Sequence, residues 1–194
     1  DRQLRAEALR VAASADVIVA ALGECAEMSG ESASRTEIRL PDAQQDLLKA
    51  LVATGKPVVL ALFTGRPLDL CWEAAHVPAI LNVWFAGSEA GDAIADVVFG
   101  EVSPSGKLTT SFPRAVGQLP LYYNHLNTGR PDADDTCFNR YASNYIDQSN
   151  EPLYPFGYGL SYTTFRYGGL QLSAERMPDT GALGTREESS GGGR

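Results

Sequence analysis

The sequence predicts an α/β fold, a mostly parallel sheet sandwiched by helices, on three observations. The runs "VIVAAL" at 17–22, "PVVLALF" at 57–63 and "PAILNVWF" at 78–85 are of strand length and apolar on both faces. Segments of helical character alternate with them, and strands joined through helices call for a parallel sheet with covered faces. The chain of 194 residues, 44% hydrophobic and 21% charged, has material for one real core.

The elements follow in order. "DRQLRAEALRVAASAD" is alanine-rich and favours a helix, leading directly into the first strand. After a loop, Pro41 at a first helical position and Asp42 in the first turn open a second helix. Leu47, Leu48 and Leu51 share one of its faces and Gly55 closes it. "KPVVLALF" restarts a buried strand, "TGRP" turns, and "LCWEAAH" is a short helical piece before the third strand. "AGSEAGDAIADVVFG" is a Gly-rich turn feeding a helix with Ala93, Ile94, Val97 and Val98 at inward spacing. "SPSGKLTTSF" is expected as a turn and a short, antiparallel edge strand. The core is thus placed in 1–115. From 116 to 165 the chain is rich in Tyr, Pro, Gly and Asn without helical period, and is expected to wrap as an irregular arm, its tyrosines giving contact area with a polar tip. "GGLQLSAE" suggests one more strand within 166–175, and 176–194 reads as a flexible tail.

Charge and motifs exclude several functions. Sixteen Lys and Arg against 24 Asp and Glu give a net charge of −8, without the basic footprint of a nucleic-acid binder. No apolar run is long enough to cross a bilayer and no signal core stands at residue 1, so neither nucleic acid nor membrane is an expected partner. Cys25, Cys71 and Cys137 have no metal or disulfide spacing and are expected as small buried hydrophobes, so no metal is expected. The chain lacks GxxxxGK[ST], GxGxxG and GxSxG, and no cofactor is expected. "AGSEAG" is only a weak hint of a phosphate cradle. His76 is expected as a core or edge histidine, and His125, among tyrosines, as a candidate ligand contact.

What remains is the loop beyond the first strand, "GECAEMSGESASR", with Glu24, Glu27 and Glu31. Ligands of open parallel sheets sit beyond the carboxyl ends of the strands. A lone loop glutamate, however, is ordinarily a solvated side chain.

"ADVIVAALGECAEMSGESASRTEIRLPDAQQDLLKALVATGKPVVLAL", "GRPLDL", "NVWFAGSEAGDAIADVVFGEVSPSGKLTTSFPR", "VGQLPLYYNHLNTGRP" and "PLYPFGYGLSYTTF" together resemble the C-terminal α/β sandwich of glycoside hydrolase family 3, from about Ala15 to Tyr167. This family of β-glucosidases and β-xylosidases includes bacterial periplasmic enzymes. The resemblance implies a periplasmic or secreted parent, a β-linked oligosaccharide or glycoside substrate, and a preceding (β/α)8 barrel that carries the nucleophilic Asp. It also implies that Glu31, in "GESASR", is the general acid/base. Retaining cleavage needs two carboxyl groups about 5 to 5.5 Å apart, one attacking and one protonating the leaving oxygen. Glu31 would then serve as base toward water. Arg35 is a candidate to orient that carboxylate or contact sugar hydroxyls, beside the plainer reading of an exposed loop arginine. Glu24 and Glu27 are the competing acids, Glu24 with an alternative role as loop anchor.

Against that family the sandwich is expected to be incomplete at its N-terminus, and residues 166–175 would be the first strand of a missing fibronectin type III-like domain. Two functions stay open: a portion of a retaining β-glycosidase that is inactive alone, or a non-catalytic carbohydrate-binding or orphan α/β domain.

Overall fold

The computed structural model describes residues 2–131, 139–174 and 176. The chain up to Thr163 is one compact unit and the chain from Thr164 a second. In order, the first unit contains α1 (Arg2–Ala13), β1 (Ile18–Gly23), α2 (Asp42–Val52), β2 (Val58–Phe63), α3 (Cys71–His76), β3 (Ala79–Asn82) and α4 (Ala90–Val98). Two 3-10 turns, Ala26–Met28 and Val116–Gln118, lie in its loops.

The three strands form one parallel sheet in the order β1-β2-β3. Ile18 pairs with Val58 and runs in step to Gly23 with Phe63, and Val59 to Leu62 pair with Ala79 to Asn82. Parallel neighbours cannot be joined by hairpins, so α2 and α3 are the obligatory crossovers. Ile18, Ala20, Val58, Leu60 and Leu62 of the sheet bury together with Leu48 and Leu51 of α2, Ala12 of α1, and Leu68 and Leu70 before α3. Leu48, Leu60 and Leu62 have no exposed surface; burying each contributes about 1.5–3 kcal/mol by transfer from water. The second face is more thinly covered at β1, where Val19 is 46% exposed. No helix among the described residues is long and apolar enough to cross a membrane.

Local chemistry explains where elements stop. Pro41, with ψ 138°, caps α2 rather than occupying its first turn, and its carbonyl accepts from Gln44 and Gln45 N–H. Gly55, at φ 75°, turns the chain toward β2 as expected. β3 is only four residues long, because Trp84 at φ 57° takes the chain out of extended geometry soon after Asn82.

Several expectations need correction. "SPSGKLTTSF" forms no strand of the sheet. It pairs instead with the returning arm: Phe112 N–H donates to Tyr154 O (2.8 Å), Leu108 N–H to Tyr158 O (2.8 Å) and Gly157 N–H to Leu108 O (2.7 Å). Pro155 within that partner removes a ladder donor, so the pairing reduces to an isolated bridge. Ile94, Val97 and Val98 of α4 are only half-buried and Ala93 is exposed. Cys25 is exposed and Cys71 half-buried, its Sγ–H donating to Arg114 O at 3.3 Å, while Cys137 lies outside the described residues. Most arm tyrosines face solvent, Tyr122, Tyr123 and Tyr141 among them; Tyr154 packs edge-on to the buried Phe112. In the second unit, residues 166–174 are exposed and form no strand; of the tail, 177–194 lie outside the described residues.

Glu73 is an exception to the apolar core. It sits in α3 at 2% exposure, with Oε1 lacking a hydrogen-bond partner. Burial pushes its carboxyl above the ordinary 4.5 and nearby Asp69 acts in the same sense, against its own backbone N–H, Gln45 and Lys49. The folded chain therefore keeps a proton that the unfolded chain has lost. That contribution is fully present below about 4.5 and disappears as pH rises through the raised folded value. Glu73→Gln, uncharged at every pH, is expected to remove this decline. Thermal melts followed by circular dichroism from about pH 4 to 8 check it, and the variant should gain on wild type as pH rises.

Candidate active site

β1 ends at Gly23 in a tight clasp. Its N–H donates to Gln44 Oε1 (2.7 Å), its carbonyl accepts from Gln44 Nε2 (2.9 Å), and a Cβ here would lie 1.7 Å from Phe63 O. The next residue, Glu24, is tied to β2 through its N–H on Phe63 O (2.8 Å). Its side chain has no exposed surface and is met by donors from two other segments. Arg35 Nη1 lies 2.7 Å from Oε1 and Arg66 Nε 3.0 Å from the same oxygen, an ionic approach outside hydrogen-bond alignment. Gly65 N–H donates to Oε2 (3.2 Å). The Thr64 hydroxyl lies 2.9 Å from Oε2 and 2.7 Å from Arg66 O, its one proton serving one acceptor at a time.

Burial alone would raise the Glu24 carboxyl. The bonds from Arg35, Thr64 and Gly65 and the charge of Arg66 outweigh it, so the group sits below the ordinary 4.5 and is held as an anion.

Beyond it, the 3-10 turn Ala26–Met28 carries Glu27, exposed, its carboxyl lowered by its own backbone N–H and by Cys25. The chain then makes a turn closed by Ala33 N–H on Gly30 O (3.3 Å), with Glu31 and Ser32 at its corner. Ser32 at φ 58° and Glu31 outside the positive-φ residues match a type II turn, which usually takes Gly at Ser32's place. Glu31 is exposed and, among the described residues, has no hydrogen-bond or ion-pair partner.

Arg35 is engaged below this tip, by Glu24 and by Arg39 O (3.1 Å), so it does not reach Glu31. Glu37 and Arg39 form a surface pair at 2.9 Å, worth little where both are solvated. His125, on the arm, is exposed with Nδ1 3.2 Å from Leu126 O and no bond to the Glu31 loop. His76 is exposed at the end of α3, stacked on Trp72 at 4.6 Å, so it is neither core nor edge strand. Sequence reasoning missed Thr64 and Arg66. The available signal was a hydroxyl and a guanidinium in the turn at the carboxyl end of the strand next to β1. No group of three or more His, Cys, Asp or Glu among the described residues could hold a metal ion.

A sequence profile for the Glycosyl hydrolase family 3 C-terminal domain matches residues 2–162. The chain belongs to glycosyl hydrolase family 3. This family 3 chain is 53% identical over 188 residues to the Periplasmic beta-glucosidase of Salmonella typhimurium strain LT2, covering 97% of itself and 24% of that protein. It is 40% identical over 188 residues to the Beta-xylosidase of Formosa agariphila, covering 97% of itself and 25% of that one. It superposes on the crystal structure of beta-glucosidase from Listeria innocua with a TM-score of 0.78 and 49% identity, over 83% of this chain and 23% of that one. The family 3 chain thus spans about a quarter of the length of the curated relatives it matches.

The Glu24 contribution has the opposite pH sense to that of Glu73. Its stability is present above about 4.5 and is lost as pH falls through the lowered folded value. Glu24→Gln leaves two guanidiniums short of their anion and should cost about 2 kcal/mol or more at neutral pH. The gap to wild type should close on acidification, as measured by urea melts at neutral pH and near pH 3.5.

Proposed function

We propose that this chain is the C-terminal portion of a retaining β-glycosidase of the β-glucosidase or β-xylosidase type, hydrolysing O-glycosyl bonds. Its β1–α2 loop supplies Glu31 as general acid/base, and the nucleophilic carboxylate comes from a (β/α)8 barrel outside this chain. The observation that carries this reading is the uncommitted carboxyl of Glu31 at the exposed corner of the loop beyond β1. A general acid must exchange its proton with substrate and water within each turnover. Glu24 is unsuited, being enclosed and held ionised by two arginines. The names of the relatives, Periplasmic beta-glucosidase and Beta-xylosidase, support the same reaction class and a periplasmic or secreted parent.

In the first step the barrel carboxylate attacks the anomeric carbon while Glu31 gives its proton to the departing glycosidic oxygen. The aglycone leaves as an alcohol and a glycosyl ester remains. In the second, the Glu31 carboxylate takes a proton from water, whose oxygen attacks the anomeric carbon and expels the barrel carboxylate. Both groups return to their starting state. Small neighbours, Ser29, Gly30, Ser32 and Ala33, keep the tip slim enough to enter another domain's pocket. Arg35 serves the site by holding the loop through Glu24, and His125 stays the candidate contact for sugar hydroxyls.

The isolated chain is expected to hydrolyse no glycoside, since an acid without its nucleophile loses most of the rate; detectable turnover of an aryl glycoside by the purified chain would refute the half-site. With the barrel attached, Glu31→Gln should lower kcat/KM on an alkyl glycoside by roughly 100- to 10,000-fold. A dinitrophenyl glycoside, whose leaving group scarcely needs the proton, should suffer far less in glycosylation. The selective loss appearing at Glu24→Gln or Glu27→Gln instead would move the assignment.

A further inference from the structure

The turn Thr64-Gly65-Arg66 at the end of β2 touches the Glu31 loop at more points than Glu24 requires. Arg66 Nη2 donates to Met28 O and to Ala33 O, the latter at 2.8 Å. These carbonyls stand on the two shoulders of the turn whose corner is Glu31, so one amino group bridges the loop just below its tip. Arg66 Nε lies 3.0 Å from buried Glu24 Oε1, an ionic contact that draws the guanidinium to this end of the sheet. The backbone beside it is equally close. A Cβ on Gly65 would fall 1.9 Å from Ser29 Oγ, 2.7 Å from Ser29 Cβ and 2.8 Å from Phe85 Cε2, so only glycine lets the loop and Phe85 both rest on this turn.

We propose that Arg66 is the positioning residue for Glu31, clamping the two shoulders of its loop from the neighbouring strand end, with Gly65 as the seat on which the loop lies; this rests on the reading of Glu31 as the general acid/base. The geometry explains how an exposed turn with a strained Ser32 at its corner keeps one shape. A lysine could keep the charge beside Glu24, but its single ammonium on a flexible stem cannot reproduce a planar fork that faces Glu24 and both carbonyls. Arg66→Lys is therefore the variant that removes the clamp while sparing the buried charge balance.

Two measurements test it. In the chain itself, amide exchange at Met28, Ser29 and Ala33, whose N–H groups are hydrogen-bonded within the loop, should quicken about 10-fold or more in Arg66→Lys, with the β1 and β2 amides unchanged. With the barrel attached, Arg66→Lys should lose roughly 100-fold in kcat/KM on the alkyl glycoside, the scale of a misplaced catalytic group, and little on the dinitrophenyl glycoside. Gly65→Ala, which lifts the loop without touching any charge, should give the same pattern. Adding Arg66→Lys to Glu31→Gln should cause little loss beyond that of Glu31→Gln alone on the alkyl glycoside. Unchanged exchange in the loop overturns the clamp. Equal losses on both substrates for Arg66→Lys, where Glu31→Gln is selective, overturn the positioning role and leave the acid/base assignment standing. A non-selective Glu31→Gln overturns that assignment and this inference with it.

Discussion

A carboxylate placed where water cannot reach it has to be answered by opposite charge, and Glu24 at the end of β1 imposes that demand on everything around it. Arg35 arrives from eleven residues further along the chain and Arg66 from the adjoining strand end. Neither could be there unless the β1–α2 loop folded back and the β2–α3 turn came forward. An ion pair this enclosed is weak evidence for stability, since desolvation opposes it. Its effect here is on geometry: of the three glutamates in the loop, the buried one fixes the backbone and the one at the corner stays uncommitted.

The topology makes that arrangement available. In a parallel sheet every strand delivers its following loop to the same edge, and β1 and β2 are hydrogen-bonded neighbours, so their exit loops emerge side by side. The register sharpens it. Gly23 pairs with Phe63, so Glu24 and Thr64 leave the sheet at the same level, and the Thr64 hydroxyl and Gly65 N–H can both reach the carboxylate. Gln44 of α2 ties the helix back to the last residue of β1 with two hydrogen bonds. Core, register and loop thus share one origin.

The sequence made the sheet legible because β1 and β2 are written as apolar runs that only a strand covered by helices can use. Hydropathy could not show the early end of β3, since Val83 and Trp84 continue the run as apolar residues and the break lies in the backbone angle of Trp84. The run around Leu108 read as an edge strand because its residue types are right. What it lacked was a partner in the sheet, and its hydrogen bonds go to the segment around Tyr154 instead. In the loop, periodicity could place three glutamates beyond a strand but not rank them, because the ranking depends on Arg66, which reaches the loop across 38 positions of sequence. Cys25 is exposed for a related reason: Glu24, the first residue beyond β1, takes the inward place, and the residue after it faces out.

The Glu24–Arg35 pair closes the neck of a compact loop, much as a drawstring closes a bag. What lies inside the neck meets the sheet through the Thr64-Gly65-Arg66 turn, whose arginine holds Met28 O and Ala33 O. Residues at the tip can then be exchanged, or the tip lengthened, at a cost that grows only slowly with length, while the strands below keep their register. A fold with this device can vary a few exposed positions of one loop without disturbing the strands beneath it.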